Sequence, residues 1–212
     1  MHQEVKSFNN EAGKREKLIR AAMELFAEYG YDKVSIRQLA AAAGVNSSMI
    51  SYYFNGKSGL YEAVIKELLQ NFDGFIGTLQ SSDIDPREGL KMYVQTISGV
   101  FYKYPPSFVK LVYREVLNPS EIFEKVTVAN FKKNVGELLK LIERGKQLGM
   151  FRNDLDNEKI LLMLISVINF YFLCRPLHTR IIEQDEKFTS DYLQQVLSVF
   201  LQGIEVNGDE KA

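Results

Sequence analysis

The chain has 212 residues, 46% of them apolar and 25% charged, which is enough for a packed core and ordinary for a water-soluble protein. A single cysteine, Cys174, excludes an internal disulfide framework, and with only His2 and His178 beside it a Cys/His zinc cage within one chain is excluded too. The net charge of −1 does not announce a nucleic-acid partner, although residues 1–60 sum to +2 and the remainder to −3.

Helical periodicity dominates from end to end, with no strand-like alternation and no internal repeat. Residues 1–13 are polar and aperiodic and read as a flexible N-terminus with no secretory signal. Leu18, Ala22, Leu25, Phe26 and Tyr29 mark one face of a first helix from about Lys14, which Gly30 ends. Ser35 is a natural N-cap for a short second helix with Ile36, Leu39, Ala40 and Ala43 inside. Gly44 and Val45 make a tight turn, and Asn46 caps a third helix running to about Phe54. A long fourth helix starts near Ser58, with Leu60, Val64, Leu68 and Phe72 along one side.

Asp85–Pro86 opens a fifth helix to about Lys103, since proline suits the first helical position. Pro105–Pro106 breaks it and starts another through Leu117. Asn118–Pro119–Ser120 breaks again, and a long helix follows to about Gly145. Asp156 caps an apolar helix ending near Cys174. That run is short of the ~20 residues needed to span a bilayer, so a buried helix is expected. An irregular stretch containing Pro176 follows. From Ser190 a last helix carries Leu193, Val196, Leu197, Phe200, Leu201 and Ile204 as an amphipathic stripe. The expectation is an all-α protein of about nine helices, divided at residues 14–56 and 57–206, with a flexible tail at 207–212.

Residues Ser35 to Phe54 read as helix, glycine turn, helix. The second of these helices opens with Asn46, Ser47 and Ser48, small polar residues that let its start approach base edges and phosphates in a major groove. Tyr52 and Tyr53 follow near its end and reach phosphates through their hydroxyls, while Ile50 and Phe54 turn inward. Lys57 adds a cation beside the amides that open the next helix.

The wider string decides between this and an ordinary helical corner. Leu25-Phe26-Ala27-Glu28-Tyr29-Gly30-Tyr31, then Ser35-Ile36-Arg37-Gln38-Leu39-Ala40, Ala43-Gly44-Val45 and Tyr52-Tyr53-Phe54-Asn55-Gly56-Lys57-Ser58-Gly59-Leu60 closely resemble the DNA-binding domain of the TetR family of repressors. The match spans roughly Lys14 to Ile65. The string Tyr113 to Ser120 looks like a subset of that family's sensor domains. The resemblance implies that Ser35 bonds a phosphate while capping its helix and that Arg37 reads guanine. It implies that Ser47, Ser48 and Met49 face the bases, and that Tyr52, Tyr53 and Lys57 clamp phosphates. Ser51 departs from the aromatic residue common at its place, so the operator cannot be borrowed from relatives.

The resemblance also implies a pocket for a small-molecule effector, with Tyr93, Phe101, Phe108, Tyr113, Arg114, Phe131 and Asn169 as candidates to line it. Aromatic residues at helical spacing are equally the ordinary content of a core, and Arg114 and Asn169, each inside an apolar helix, need partners if buried. An apolar, aromatic pocket favours a hydrophobic or amphipathic effector. The apolar helix before Cys174 and the last helix each ask for two partners, so two chains are expected to pair through them as a four-helix bundle. Such a dimer suits a palindromic double-stranded operator with half-sites about 34–36 Å apart. The expected mechanism is a population shift: the effector, bound among the helices after Pro86, favours a conformer with the wrong spacing, the fourth helix acting as lever. No nucleophile elbow, phosphate-binding glycine loop or metal-ligand spacing suggests an enzyme or a cofactor, and a cytoplasmic protein off the membrane is expected. The competing reading is a helical ligand-binding or protein-interaction module without sequence-specific DNA binding.

Overall fold

The computed structural model describes residues 2–206 apart from 82 and 105, with the side chains of residues 2–12, 68, 71–73, 81 and 106–108 also outside the description. In chain order the helices are α1 (His2–Tyr29), α2 (Ile36–Ala43), α3 (Ser48–Phe54), α4 (Lys57–Ser81), α5 (Pro86–Lys103), α6 (Pro106–Leu117), α7 (Glu121–Gln147), α8 (Asn157–Ile181) and α9 (Phe188–Ile204). The one β pairing among the described residues is an antiparallel bridge between Phe151 and Glu205. The all-α expectation holds.

The chain divides into two compact units. The first comprises Met1–Gln70 with Lys103–Asn130, and the second Asn71–Tyr102 with Phe131–Ala212. This differs from a boundary at residues 56 and 57. α4 begins at Lys57 and runs unbroken across the division between Gln70 and Asn71, so its first half belongs to the first unit. α6 packs against α1, so that unit also takes in chain far from it in sequence. α1 also starts earlier than Lys14: its backbone is helical from His2, there being no proline to stop it. Residues 207–212 lie outside the described residues.

In the first unit the interior is built from Leu18, Phe26, Leu39, Ile50, Leu60 and Leu111, each essentially fully buried. The turns around it are set by glycine and asparagine. Gly44 has φ +64, and its N–H and that of Val45 satisfy the carbonyls of Ala41 and Ala40 at 3.1 and 3.0 Å. α3 ends the same way on Asn55, at φ +58.

The second unit is centred on Leu90, Leu138, Ile142, Phe151, Leu164 and Ile168. Asp85 Oδ1 accepts the Arg87 N–H at 2.8 Å ahead of Pro86, and Asp156 Oδ1 accepts the Lys159 N–H at 3.0 Å, so both expected caps are in place. Gly145 has no side chain because the Phe151 ring fills the space a Cβ would take, 2.2 Å away. One expectation fails. α8 does not end near Cys174; it continues through Pro176 to Ile181. Proline leaves the Phe172 carbonyl without its helical donor, but Pro176 is exposed and its ring needs no room in the core. At 25 residues α8 is long and apolar enough to cross a membrane by length and composition. Its inner face, Ile160, Leu161, Leu164, Ile168, Tyr171 and Phe172, is committed to the core of the second unit.

Candidate nucleic-acid interface

α2 is held at its start by a reciprocal box: Ser35 Oγ accepts the Gln38 N–H at 3.3 Å, and Gln38 Oε1 accepts the Ser35 N–H at 2.8 Å. Leu39, Ala40 and Ala43 turn inward, leaving Arg37 exposed one turn from the cap. After the Gly44 turn, Asn46 Oδ1 accepts both the backbone N–H and the hydroxyl of Ser48, each at 2.9 Å. The residue at the N-cap position of α3 is Ser47, not Asn46 as expected, and its side chain makes no cap bond; Asn46, one residue earlier, closes the turn into the helix through its side-chain carbonyl oxygen.

α3 is only seven residues long, and its two faces are cleanly divided. Ile50 and Phe54 are buried, while Ser48, Ser51, Tyr52 and Asn55 form the outer face at helical spacing. Asn46 and Ser47, which lead into it, are exposed too, and Met49 is half-buried. Tyr52 is 71% exposed and meets the half-buried Tyr53 edge to face, ring centroids 5.0 Å apart. Lys57 opens α4 with its ammonium 4.3 Å from the centre of the Tyr31 ring, a cation–π contact.

The structure therefore gathers Ser35, Arg37, Asn46, Ser47, Ser48, Met49, Ser51, Tyr52, Tyr53 and Lys57 in two short helices and their flanks within the first unit. It adds one cation that sequence reasoning missed. Arg15, on α1, places its guanidinium 5.4 Å from the Phe54 ring centre and shares a cleft with Ser51, Tyr52 and Lys66. About forty residues separate Arg15 from Phe54, and no local pattern links them.

The residues expected to line an effector pocket do not share one unit. Tyr113, half-buried, and Arg114, exposed, belong to the first; Tyr93, Phe101, Phe131 and Asn169 belong to the second. Tyr93 is buried, and the loss of solvent raises its phenol pKa well above the ordinary value. Phe101 stacks on Phe172 with centroids 3.8 Å apart. Asn169 donates to the Ile165 carbonyl at 2.8 Å, and Phe131 is largely exposed. The Phe108 side chain and those of Leu68 and Phe72 lie outside the described residues.

α8 and α9 present a second apolar feature. Met163, Val167, Phe170, Cys174, Leu177 and Ile181 follow one another at alternating steps of four and three residues. All but Cys174 are exposed, Phe170 by 62% and Ile181 by 69%. Tyr192, Val196, Val199 and Gly203 continue that spacing on α9. Between the two helices lies an open apolar groove of about 790 Å³. Such spacing is the seam pattern of packed helices.

Comparison with known proteins gives the family of both parts of the chain. The sequence pattern of the family described as bacterial regulatory proteins, tetR family, matches residues 18–64. That of the tetracyclin repressor-like C-terminal domain matches residues 86–197. The HTH-type transcriptional repressor NicS of Pseudomonas putida is 27% identical over 195 residues, covering 90% of this chain and 92% of that protein. The crystal structure of HlyIIR, a hemolysin II transcriptional regulator, is similar with a TM-score of 0.64 at 26% identity, over 89% of this chain and 97% of that one. The ketosteroid transcriptional regulator KstR2 of Mycobacterium tuberculosis shares the fold, with a TM-score of 0.71 at 19% identity, over 91% of this chain and 95% of that one.

Proposed function

The chain belongs to the tetR family of bacterial regulatory proteins and is a DNA-binding transcriptional regulator, and from that premise we propose how it acts. It works as a repressor that sits on a palindromic operator in the cytoplasm and leaves it when a small hydrophobic or amphipathic effector binds. The observation that supports this reading most is the division of α3. Two apolar residues anchor it, and the outer face carries hydroxyls, an amide and an exposed tyrosine with no large apolar group other than that ring. A face of that kind fits base edges and phosphates better than a protein partner, which favours buried apolar anchors.

The roles divide by reach. Ser47, Ser48 and Met49, at the start of α3, meet the bases, with Arg37 reading a guanine from α2. Tyr52, Lys57 and the exposed Ser35 fix the frame on phosphates, as Asn46 and Ser51 do at the two edges of the α3 surface. The Tyr53 hydroxyl, expected from the sequence to join them, is buried from solvent and is left out of the clamp. Two chains pair through the α8 and α9 seam, giving two recognition helices related by a dyad. The effector binds in the second unit against Tyr93, Phe101 and Asn169, and it favours the conformer whose half-site spacing is wrong. A tenfold weakening of operator binding requires about 1.4 kcal/mol of differential affinity. The relatives are transcriptional regulators, and an enzymatic role is no part of this reading.

Selection of random duplex DNA with the purified chain tests the proposal. A palindrome is expected, bound at least about a thousandfold more tightly than bulk DNA. Salt-dependent binding with no enriched sequence would leave only backbone contact and overturn it. Arg37→Ala is expected to relax the selected sequence at one position per half-site and to cost about tenfold in affinity for the best site. An unchanged selected sequence would remove Arg37 from the reading set.

A further inference from the structure

The string Tyr113 to Ser120 takes no part in the contacts proposed above, yet it holds the most deeply engaged charge of the first unit. Glu115 on α6 is only 4% exposed. An unpartnered carboxylate there would be costly, and this one is fully occupied. Its Oε2 accepts the backbone N–H of Ser120 at 2.9 Å and the Ser120 hydroxyl at 2.8 Å, closing the corner between α6 and α7. Its Oε1 accepts the hydroxyl of Tyr61 on α4. Burial, followed by the bond to Glu115, raises the Tyr61 pKa far above its ordinary value, so that hydroxyl remains a donor.

The consequence lies at the other end of the Tyr61 side chain. The ring of Tyr61 is completely buried, 4.8 Å from that of Phe26 and 4.9 Å from that of Tyr31. Tyr31 is the ring beneath the Lys57 ammonium. Lys57 and Tyr61 are four residues apart and share one side of α4, so Tyr31 meets both. The residue before Glu115 secures the other flank. The Arg114 guanidinium lies against Gly30, where a Cβ would come within 3.0 Å of it, and Gly30 holds φ +83 immediately ahead of Tyr31.

We infer that Glu115 is a positioning residue for DNA binding: by fixing the Tyr61 hydroxyl it fixes the Tyr31 ring, and through that ring it sets where Lys57 presents its charge. The inference rests on the proposed contact between Lys57 and an operator phosphate. It ties a sequence feature of the α6–α7 corner to affinity for DNA, so that a shift of that corner changes the grip without any change in the bases read.

The test combines Glu115→Gln, Tyr61→Phe and Lys57→Ala, alone and in pairs, in the full-length chain. Operator affinity is measured at several salt concentrations, with circular dichroism confirming the folded fraction. Lys57→Ala is expected to weaken binding about five- to tenfold and to reduce the slope of log K against log salt by about 1. Glu115→Gln and Tyr61→Phe are expected to do the same on the wild-type background and to add little once Lys57 is already alanine. A purely structural carboxylate gives another result: a lower melting temperature with affinity per folded molecule and salt slope unchanged, or losses that simply add to that of Lys57→Ala. Either outcome overturns the inference while leaving the function proposed above intact. If Glu115→Gln does not fold, Tyr61→Phe carries the test, since it keeps the ring and loses only the hydroxyl. A wild-type chain that selects no operator is distinguishable from both and fails the underlying reading, and with it the inference.

Discussion

Phe170→Glu is expected to yield a folded monomer that has lost nearly all affinity for a palindromic operator. In the single chain the Phe170 side chain is 62% exposed, so a carboxylate there leaves the core around Leu164 and Ile168 undisturbed. In a pair joined by the seam of Met163, Val167, Phe170, Cys174, Leu177 and Ile181, the same carboxylate would be buried near its symmetry mate. An uncompensated charge in that setting costs several kcal/mol, more than removal of one apolar contact. Once the pair separates, each chain holds one half-site with no help from a tethered second, and the expected loss of operator affinity is about 10²- to 10⁴-fold. Sedimentation gives the mass and an operator titration gives the affinity. A variant that still sediments as a dimer and binds as tightly as wild type would place the pairing surface elsewhere. A variant that is monomeric in solution but binds unchanged would separate pairing from recognition.

What the sequence disclosed was local, and the reason is physical. Caps and breaks are decided within a few residues of chain, so Ser35, Gly44, Asp85–Pro86 and Asp156 can be read directly. The two faces of α3 follow from spacing, which sets Ser48, Ser51 and Tyr52 outward. Met49 and Tyr53, expected to face DNA as well, are half-buried, and spacing alone does not show that the Tyr53 hydroxyl is covered. Pro176 shows where the local rule gives way. Proline removes one hydrogen bond and crowds the preceding turn, which predicts a helix end; on an exposed side of α8 that cost is small beside the packing of Tyr171, Phe172 and their neighbours. The two turns gained bring Leu177 and Ile181 into line with Phe170. Long-range pairing was out of reach for a different reason. Nothing in the spacing of α6 says that it packs on α1, so the division at residues 56 and 57 missed the return of Lys103–Asn130 to the first unit. The same limit hid Arg15 beside Phe54 and the bond between Glu115 and Tyr61, whose partners are 54 residues apart.

Gly59→Ala is expected to be among the most damaging single-methyl changes in the first unit. An ideal Cβ on Gly59 would stand 1.7 Å from the carbonyl oxygen of Phe54 and 2.9 Å from its carbon, both backbone atoms. A flexible side chain can swing away from such a contact; a carbonyl at the end of α3 cannot. That carbonyl sits beside Asn55 in its left-handed conformation, which ends α3, and Gly56 at φ +108, which leads into α4. Accommodating the methyl means prising α3 from the start of α4, which moves Tyr52 and Tyr53 relative to Lys57. Overpacking typically costs about 1–3 kcal/mol, and more where backbone must move. For a domain of this size that is a fall in melting temperature of at least roughly 5 °C. Operator affinity should fall at least about tenfold even at temperatures where the chain is folded, because α3 and Lys57, the proposed base-reading and phosphate-binding parts, no longer share a frame. Gly77→Ala, on α4 with open space around its Cβ, provides the control. Alanine is the better helix former by about 1 kcal/mol, so that variant should melt at or above the wild-type temperature and bind DNA normally. If Gly59→Ala behaves like Gly77→Ala in both measurements, the close approach of α4 to the end of α3 does not set the geometry of the DNA-binding surface.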